Sequence, residues 1–191
     1  EQGPYVLVPH SMSGLEAIYW AQQYPDEVKA IVGLDPCTPE SVDILPEPDK
    51  TQLYAMYAVS RTGLYRYMPD AEVENYFPVL KSEDLTEEDR QAYLVAFYRS
   101  AYSSDMLREV DYLEDNAQAV AESGVPVDTP MYFFISDGQE ATAPGWREAL
   151  SGYLSRVTMG KSMRLDTGHY VHYDMADIIA DEARTFLQDI R

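Results

Sequence analysis

The chain has 191 residues, 46% of them hydrophobic, which is enough to bury the core of one ordinary domain or of part of a larger one. Its formal charge of −19, from 33 acidic against 14 basic residues, excludes a nucleic-acid partner, because a phosphate backbone needs a basic face. The lone cysteine, Cys37, excludes an intrachain disulfide framework and a multi-cysteine metal site, and three histidines without His/Asp/Glu ligand spacing argue against any resident metal.

Residues 4–8 form a continuous apolar run, the pattern of a buried strand. The strand stops at Pro9-His10-Ser11-Met12-Ser13-Gly14, where one serine stands between two short flanks and a helix begins. That is the arrangement of a nucleophile elbow, small-x-Ser-x-small, with Ser11 at its tip, although proline replaces the usual glycine at the first position. The competing readings are Ser13 as nucleophile, which would place bulky Leu15 on the tight side of the turn, and an ordinary serine helix cap.

A helix over 14–24 follows from Leu15, Ile18 and Tyr19 at i, i+3 and i+4, and it ends before Pro25. A second buried strand over 30–34 ends at Asp35-Pro36, which completes a βαβ unit and implies parallel strands. Prolines 39, 46 and 48 then open a helical block with no defensible strand. Tyr54, Tyr57, Leu64 and Tyr65 lie on one helical pattern, and Tyr93, Leu94, Phe97 and Tyr98 on another that starts at a Thr86/Asp89 cap. The strand–helix texture returns with a strand over 131–135 ending in Ser136-Asp137-Gly138, and a helix over 146–154 follows it. A strand over 162–165 ends near Gly168-His169, and the last helix covers 174–190 with Ile179, Ala183, Phe186, Leu187 and Ile190 on one face. The fold class is α/β: a mostly parallel sheet flanked by helices, with 1–40 and 125–191 as its core and 41–124 as a helical insertion.

Serine, acid and histidine each follow a strand, in the order Ser, Asp, His. Together with Tyr24-Pro25-Asp26-Glu27-Val28 and Gly168-His169, this order resembles the C-terminal part of the α/β-hydrolases over nearly all of residues 3–190, with the helical block in the position of the family's cap. The resemblance implies a Ser-His-acid triad that works through an acyl-enzyme. Ser11 would be the nucleophile, His169 the base, and the Met12 N–H one oxyanion donor. His172 competes with His169, but the family's base directly follows the glycine after the last strand. His10 should point away from the nucleophile and be structural, since side chains alternate along a strand. Three residues compete for the acid: Asp137, after the strand the family most often uses; Asp35, at the end of the second strand; and Glu140, in the same loop as Asp137.

The implied activity is cleavage of a small, partly apolar ester, thioester or amide, as a carboxylesterase/lipase-like or aminopeptidase-like enzyme without a cofactor. Tyrosines and aromatics of the insertion (Tyr54, Tyr57, Tyr65, Tyr67, Tyr93, Phe97, Tyr98 and Tyr102) would line or cover its pocket. The alternative is a non-catalytic ligand-binding or assembly member of the fold, or an inactive fragment. The family places further strands before the elbow, so the strand at 5–8 is expected to have a bare edge, covered by the missing N-terminal half or by a second copy. No apolar run approaches the ~20 residues of a membrane span. The compartment stays open, with the cytoplasm as default.

Overall fold

Short continuous apolar runs set the sheet, as for parallel strands buried on both faces. A computed structural model describes residues 3–76, 78–81 and 85–190. By Cα packing the chain divides into two units, Glu1–Pro46 with Leu113–Arg191, and Glu47–Tyr112.

The first unit holds β1 (Tyr5–Leu7), β2 (His10–Ser11), α1 (Ser13–Gln23), β3 (Val28–Pro36) and α2 (Pro39–Val42). It resumes with α7 (Leu113–Glu122), β4 (Met131–Ser136), α8 (Asp137–Thr142), α9 (Trp146–Leu154), β5 (Gly160–Leu165), α10 (Val171–Asp174) and α11 (Ala176–Asp189). All strand pairings are parallel, in the order β1-β3-β4-β5, and β2 continues beside β3 beyond the break at Val8-Pro9. Every residue of β4 is buried, as in a central strand covered on both faces. Met131, Phe133 and Ile135 enter one core with Leu15, Ile18, Ile31, Trp146 and Leu150. Tyr132 and Phe134 enter the other with Ala30, Val32, Ile179 and Phe186. The sheet is therefore sandwiched between helix layers, and its strands run parallel so that their C-terminal ends share one edge.

Several boundaries differ from the sequence reading. On α1 the buried stripe is Leu15, Ile18 and Ala21, while Tyr19 is 44% exposed. The last helix is broken, because Met175 (φ −122°, ψ 23°) leaves the helical region between α10 and α11. The helical insertion is shorter than 41–124. Val42, Ile44, Leu45, Ala117 and Val120 pack into the core of the first unit, so α2 and α7 belong there.

The second unit is helical: α3 (Lys50–Thr62), α4 (Asp70–Tyr76), α5 (Glu87–Ser100) and α6 (Ser104–Asp111), around a core of Val73, Leu80 and Phe97. Gly63, at φ 77°, ends α3 as a left-handed cap, so Leu64 and Tyr65 lie beyond the helix to which their spacing had assigned them. Thr86 caps α5 as expected, accepting from the Asp89 N–H at 3.1 Å. Among the described residues no helix is long and apolar enough to cross a membrane.

Two glycines separate close packing from open space. A Cβ at Gly14 would lie 2.8 Å from the Cys37 nitrogen and closer still to its carbonyl oxygen, both backbone atoms, whereas a Cβ at Gly152 would meet nothing within 4 Å. Gly14→Val should therefore cost about 1–3 kcal/mol by overpacking. Gly152→Ala, in an exposed turn of α9, should gain about 0.5–1 kcal/mol. Urea denaturation midpoints of the two variants check both signs.

Candidate functional site

The turn after β2 carries Ser11 at φ 55°, in the left-handed region that costs a non-glycine residue about 1–3 kcal/mol. Hydrogen bonds on both sides hold it there. The Cys37 N–H donates to the Ser11 carbonyl at 2.8 Å. Ser13 folds back on the turn, accepting from the His10 N–H at 2.9 Å and donating to the His10 carbonyl at 2.7 Å. Ser13 is thus occupied in closing the turn. Met12, the residue after Ser11, is the N-cap of α1, so its peptide stands at the positive end of that helix.

Across the sheet edge, the Ser11 hydroxyl lies 2.9 Å from His169 Nε2, and His169 Nδ1 lies 2.6 Å from Asp35 Oδ2. A carboxylate only accepts, so Nδ1 carries the proton and donates to Asp35, which leaves Nε2 free to accept from the serine hydroxyl. Asp35 is fully buried and also sits at positive φ, 49°, at the end of β3. It accepts three further hydrogen bonds: from the Ser136 N–H (2.9 Å), the Ser136 hydroxyl (2.6 Å) and Trp146 Nε1 (2.9 Å). Burial pushes the Asp35 pKa up, but the bonds from His169, Ser136 and Trp146 outweigh it and hold the carboxyl below its ordinary value.

The other two acids are engaged elsewhere. Asp137 is not beside His169; it forms an ion pair with Arg147. The reason is local. Ser136 caps α8, accepting from the Gln139 N–H at 3.1 Å, so Asp137 is the first residue of a helix rather than part of a free loop. Glu140 accepts from the N–H groups of Gly145 (2.8 Å) and Arg147 (3.0 Å), which holds the entry to α9. Those bonds, Arg147's first, keep its pKa low.

Among the described residues His172 forms no ion pair. Its Nδ1 is buried without a partner among the described residues, and burial, then the nearby His169, lowers its pKa. Cys37 is buried next to the site. Burial first, then the Asp35 charge, raises its thiol to about 12, against hydrogen bonding with Ser11 and Ser41. It is inert as a nucleophile at neutral pH. Ser136 and Trp146 are site residues that the sequence reading missed. Ser136-x-x-Gln139 is a capping pattern, and a buried indole N–H needs an acceptor, so both signals were present in the chain. Among the described residues, no group of three His, Cys, Asp or Glu is placed to hold a metal ion.

The depressed pKa of Asp35 makes a signed prediction. Its contribution to stability is complete above the unfolded carboxyl value, about 3.9, and is lost as pH falls through the lower folded value. In chemical denaturation, the stability advantage of the wild type over Asp35→Asn should shrink steadily as pH falls below about 4.

No family model matches the chain. Over 195 residues it is 32% identical to the uncharacterized protein YbdG of Bacillus subtilis (strain 168), an alignment that takes in 98% of this chain and 59% of that protein. The chain thus spans about three-fifths of that relative's length. Among solved structures it is similar to the haloalkane dehalogenase DatA of Agrobacterium tumefaciens C58 (TM-score 0.63, 16% identity, 99% of this chain and 68% of that one). It is also similar to a loop variant of the haloalkane dehalogenase DbeA of Bradyrhizobium elkanii (TM-score 0.61, 17% identity, 97% and 67%). With its parallel sheet, its flanking helices and these likenesses, the chain has the α/β-hydrolase fold.

Proposed function

We propose that the protein is a serine hydrolase that cleaves an ester, thioester or amide of a small, partly apolar substrate through an acyl-enzyme. One observation carries the reading: the unbroken chain from the Ser11 hydroxyl to His169 Nε2 (2.9 Å), and from His169 Nδ1 to Asp35 (2.6 Å). Both distances fall in the range in which a proton moves between positioned groups.

In the proposed reaction Ser11 Oγ attacks the acyl carbon and its proton passes to His169 Nε2. Asp35 fixes the imidazole tautomer and stabilises the imidazolium without taking its proton. The imidazolium then protonates the leaving alcohol, thiol or amine, and the acyl group stays on Ser11. Water, deprotonated by the same Nε2, releases the acid and restores the serine. In this reading the Met12 N–H, at the start of α1, donates to the oxyanion, a contact worth about 3 kcal/mol of transition-state stabilisation in comparable sites. The triad acid in this reading is Asp35, and Asp137, paired with Arg147, has a structural role.

Labelling of the purified protein with a fluorophosphonate, followed by peptide mapping, tests this. Ser11 should be modified stoichiometrically, and the reaction should vanish in Ser11→Ala and His169→Ala. Asp35→Asn should slow turnover or labelling by up to about 10⁴-fold through loss of the productive tautomer. Asp137→Asn should leave the rate near that of the wild type. A folded protein that takes no label would return the chain to a binding role on the same fold.

A further inference from the structure

His10 is one residue from Ser11, and strand alternation sends its ring to the other side of β2. The ring does not end in inert packing. Its Nε2 lies 3.1 Å from the main-chain oxygen of His169. A carbonyl only accepts, so this nitrogen carries the proton and donates, and the neutral ring keeps Nδ1 as its acceptor. The two imidazole centroids are 4.7 Å apart, and Tyr170 and His172 each lie 5.0 Å from the His10 ring.

The other anchors of the segment that carries His169 flank the base: Val171, two residues on, is fully buried in the core with Tyr132 and Phe134, and the Tyr173 N–H donates to the Tyr170 carbonyl at 2.9 Å. The Gly138 N–H donates to the Thr167 carbonyl at 3.0 Å, and the Thr167 hydroxyl donates to Asp174 at 2.8 Å. Both act two residues before the base. At His169 itself, the side chain is held by Asp35 and Ser11, and the peptide by His10.

Resting on the serine-hydrolase reading, we propose that His10 is a positioning residue. Its Nε2–H, held on the His169 carbonyl, fixes the peptide that carries the base and with it the reach of the base to Ser11. One short segment, His10-Ser11, would then set both ends of the nucleophile–base distance: Ser11 from its hydroxyl, His10 through the backbone of the partner. Either protonation state of His10 supplies the Nε2–H that the role needs, and the surroundings favour the neutral ring. Burial lowers its pKa first, the nearby His169 and His172 add to this, and the hydrogen bond to the His169 carbonyl and the Asp35 charge oppose it. A neutral donor also avoids a second cation beside the imidazolium that forms on His169 during turnover.

The test compares His10→Gln, His10→Asn and His10→Phe in the purified protein. Glutamine places an amide N–H at the reach of Nε2, asparagine places one too short, and phenylalanine fills the space without a donor. Two quantities are read: the fluorophosphonate inactivation rate, split into reagent binding and the bond-forming step, and the downfield proton resonance of the His169–Asp35 hydrogen bond. Glutamine should hold the bond-forming step within about threefold of wild type, while asparagine and phenylalanine lower it about 10–100-fold with reagent binding little changed, as expected for sub-ångström misplacement. The downfield resonance should persist in the glutamine variant and broaden in the other two.

Equal rates in all three variants would overturn the proposal, as would an equal loss in glutamine and phenylalanine. Should phenylalanine fail to fold, the glutamine–asparagine pair decides alone. If the folded wild type takes no label, the hydrolase reading falls and the resonance still decides on His10: tracking the donor supports the tether, and indifference to it overturns it.

Discussion

The architecture of the site depends on one buried carboxylate. Asp35 is sealed from solvent at the end of β3 and accepts hydrogen bonds from the end of β4, the start of α9 and the segment after β5. Removing a charged carboxyl from water costs several kcal/mol, and only well-directed donors offset it. Here four donors converge on two oxygens, and charge-assisted bonds of 2.6–2.9 Å are the strong kind. The four donors come from three residues, each in a different piece of local structure. Ser136 is also the cap of α8, and Trp146 opens α9, so the carboxylate fixes the relative placement of these elements as well as the histidine ring.

Strain is stored at both ends of this network. Ser11 and Asp35 end neighbouring parallel strands, and both are held at positive φ. Serine rarely adopts that region and aspartate only tolerates it, so the surrounding packing helps to impose it. Gly14 is part of the imposition, because the missing side chain lets α1 lie against the backbone at Cys37. The hydrogen bond from the Cys37 N–H to the Ser11 carbonyl then joins the two strained turns directly, since Cys37 is two residues beyond Asp35.

The sheet, its parallel order and the elbow were legible because they rest on local signals: apolar runs, a serine between short flanks, and strand–helix alternation. His169 was legible through its place after a glycine and the last strand. The carboxylate bonded to His169 was not, because position after a strand cannot separate Asp35 from Asp137. What separates them is the capping role of Ser136, which commits Asp137 to a helix start beside Arg147. The reach of the insertion was misjudged for a related reason. Amphipathic helices such as α7 look alike whether their apolar face meets the sheet or another helix, and only packing assigns Ala117 and Val120 to the sheet's core.

The three histidines of the chain stand together, and their surroundings give them different chemistry. His169 alone touches a carboxylate and a serine hydroxyl, so a proton gained on Nε2 is met by a negative charge at Nδ1. His10 faces a carbonyl, which rewards an N–H but offers an added positive charge far less than a carboxylate does. His172 has a buried Nδ1 without a partner among the described residues, so protonation there would add a charge with nothing to receive it. Among the described residues only the His169 ring pairs with a carboxylate, and its other nitrogen lies 2.9 Å from the Ser11 oxygen, where the proposed reaction requires a base that becomes an acid.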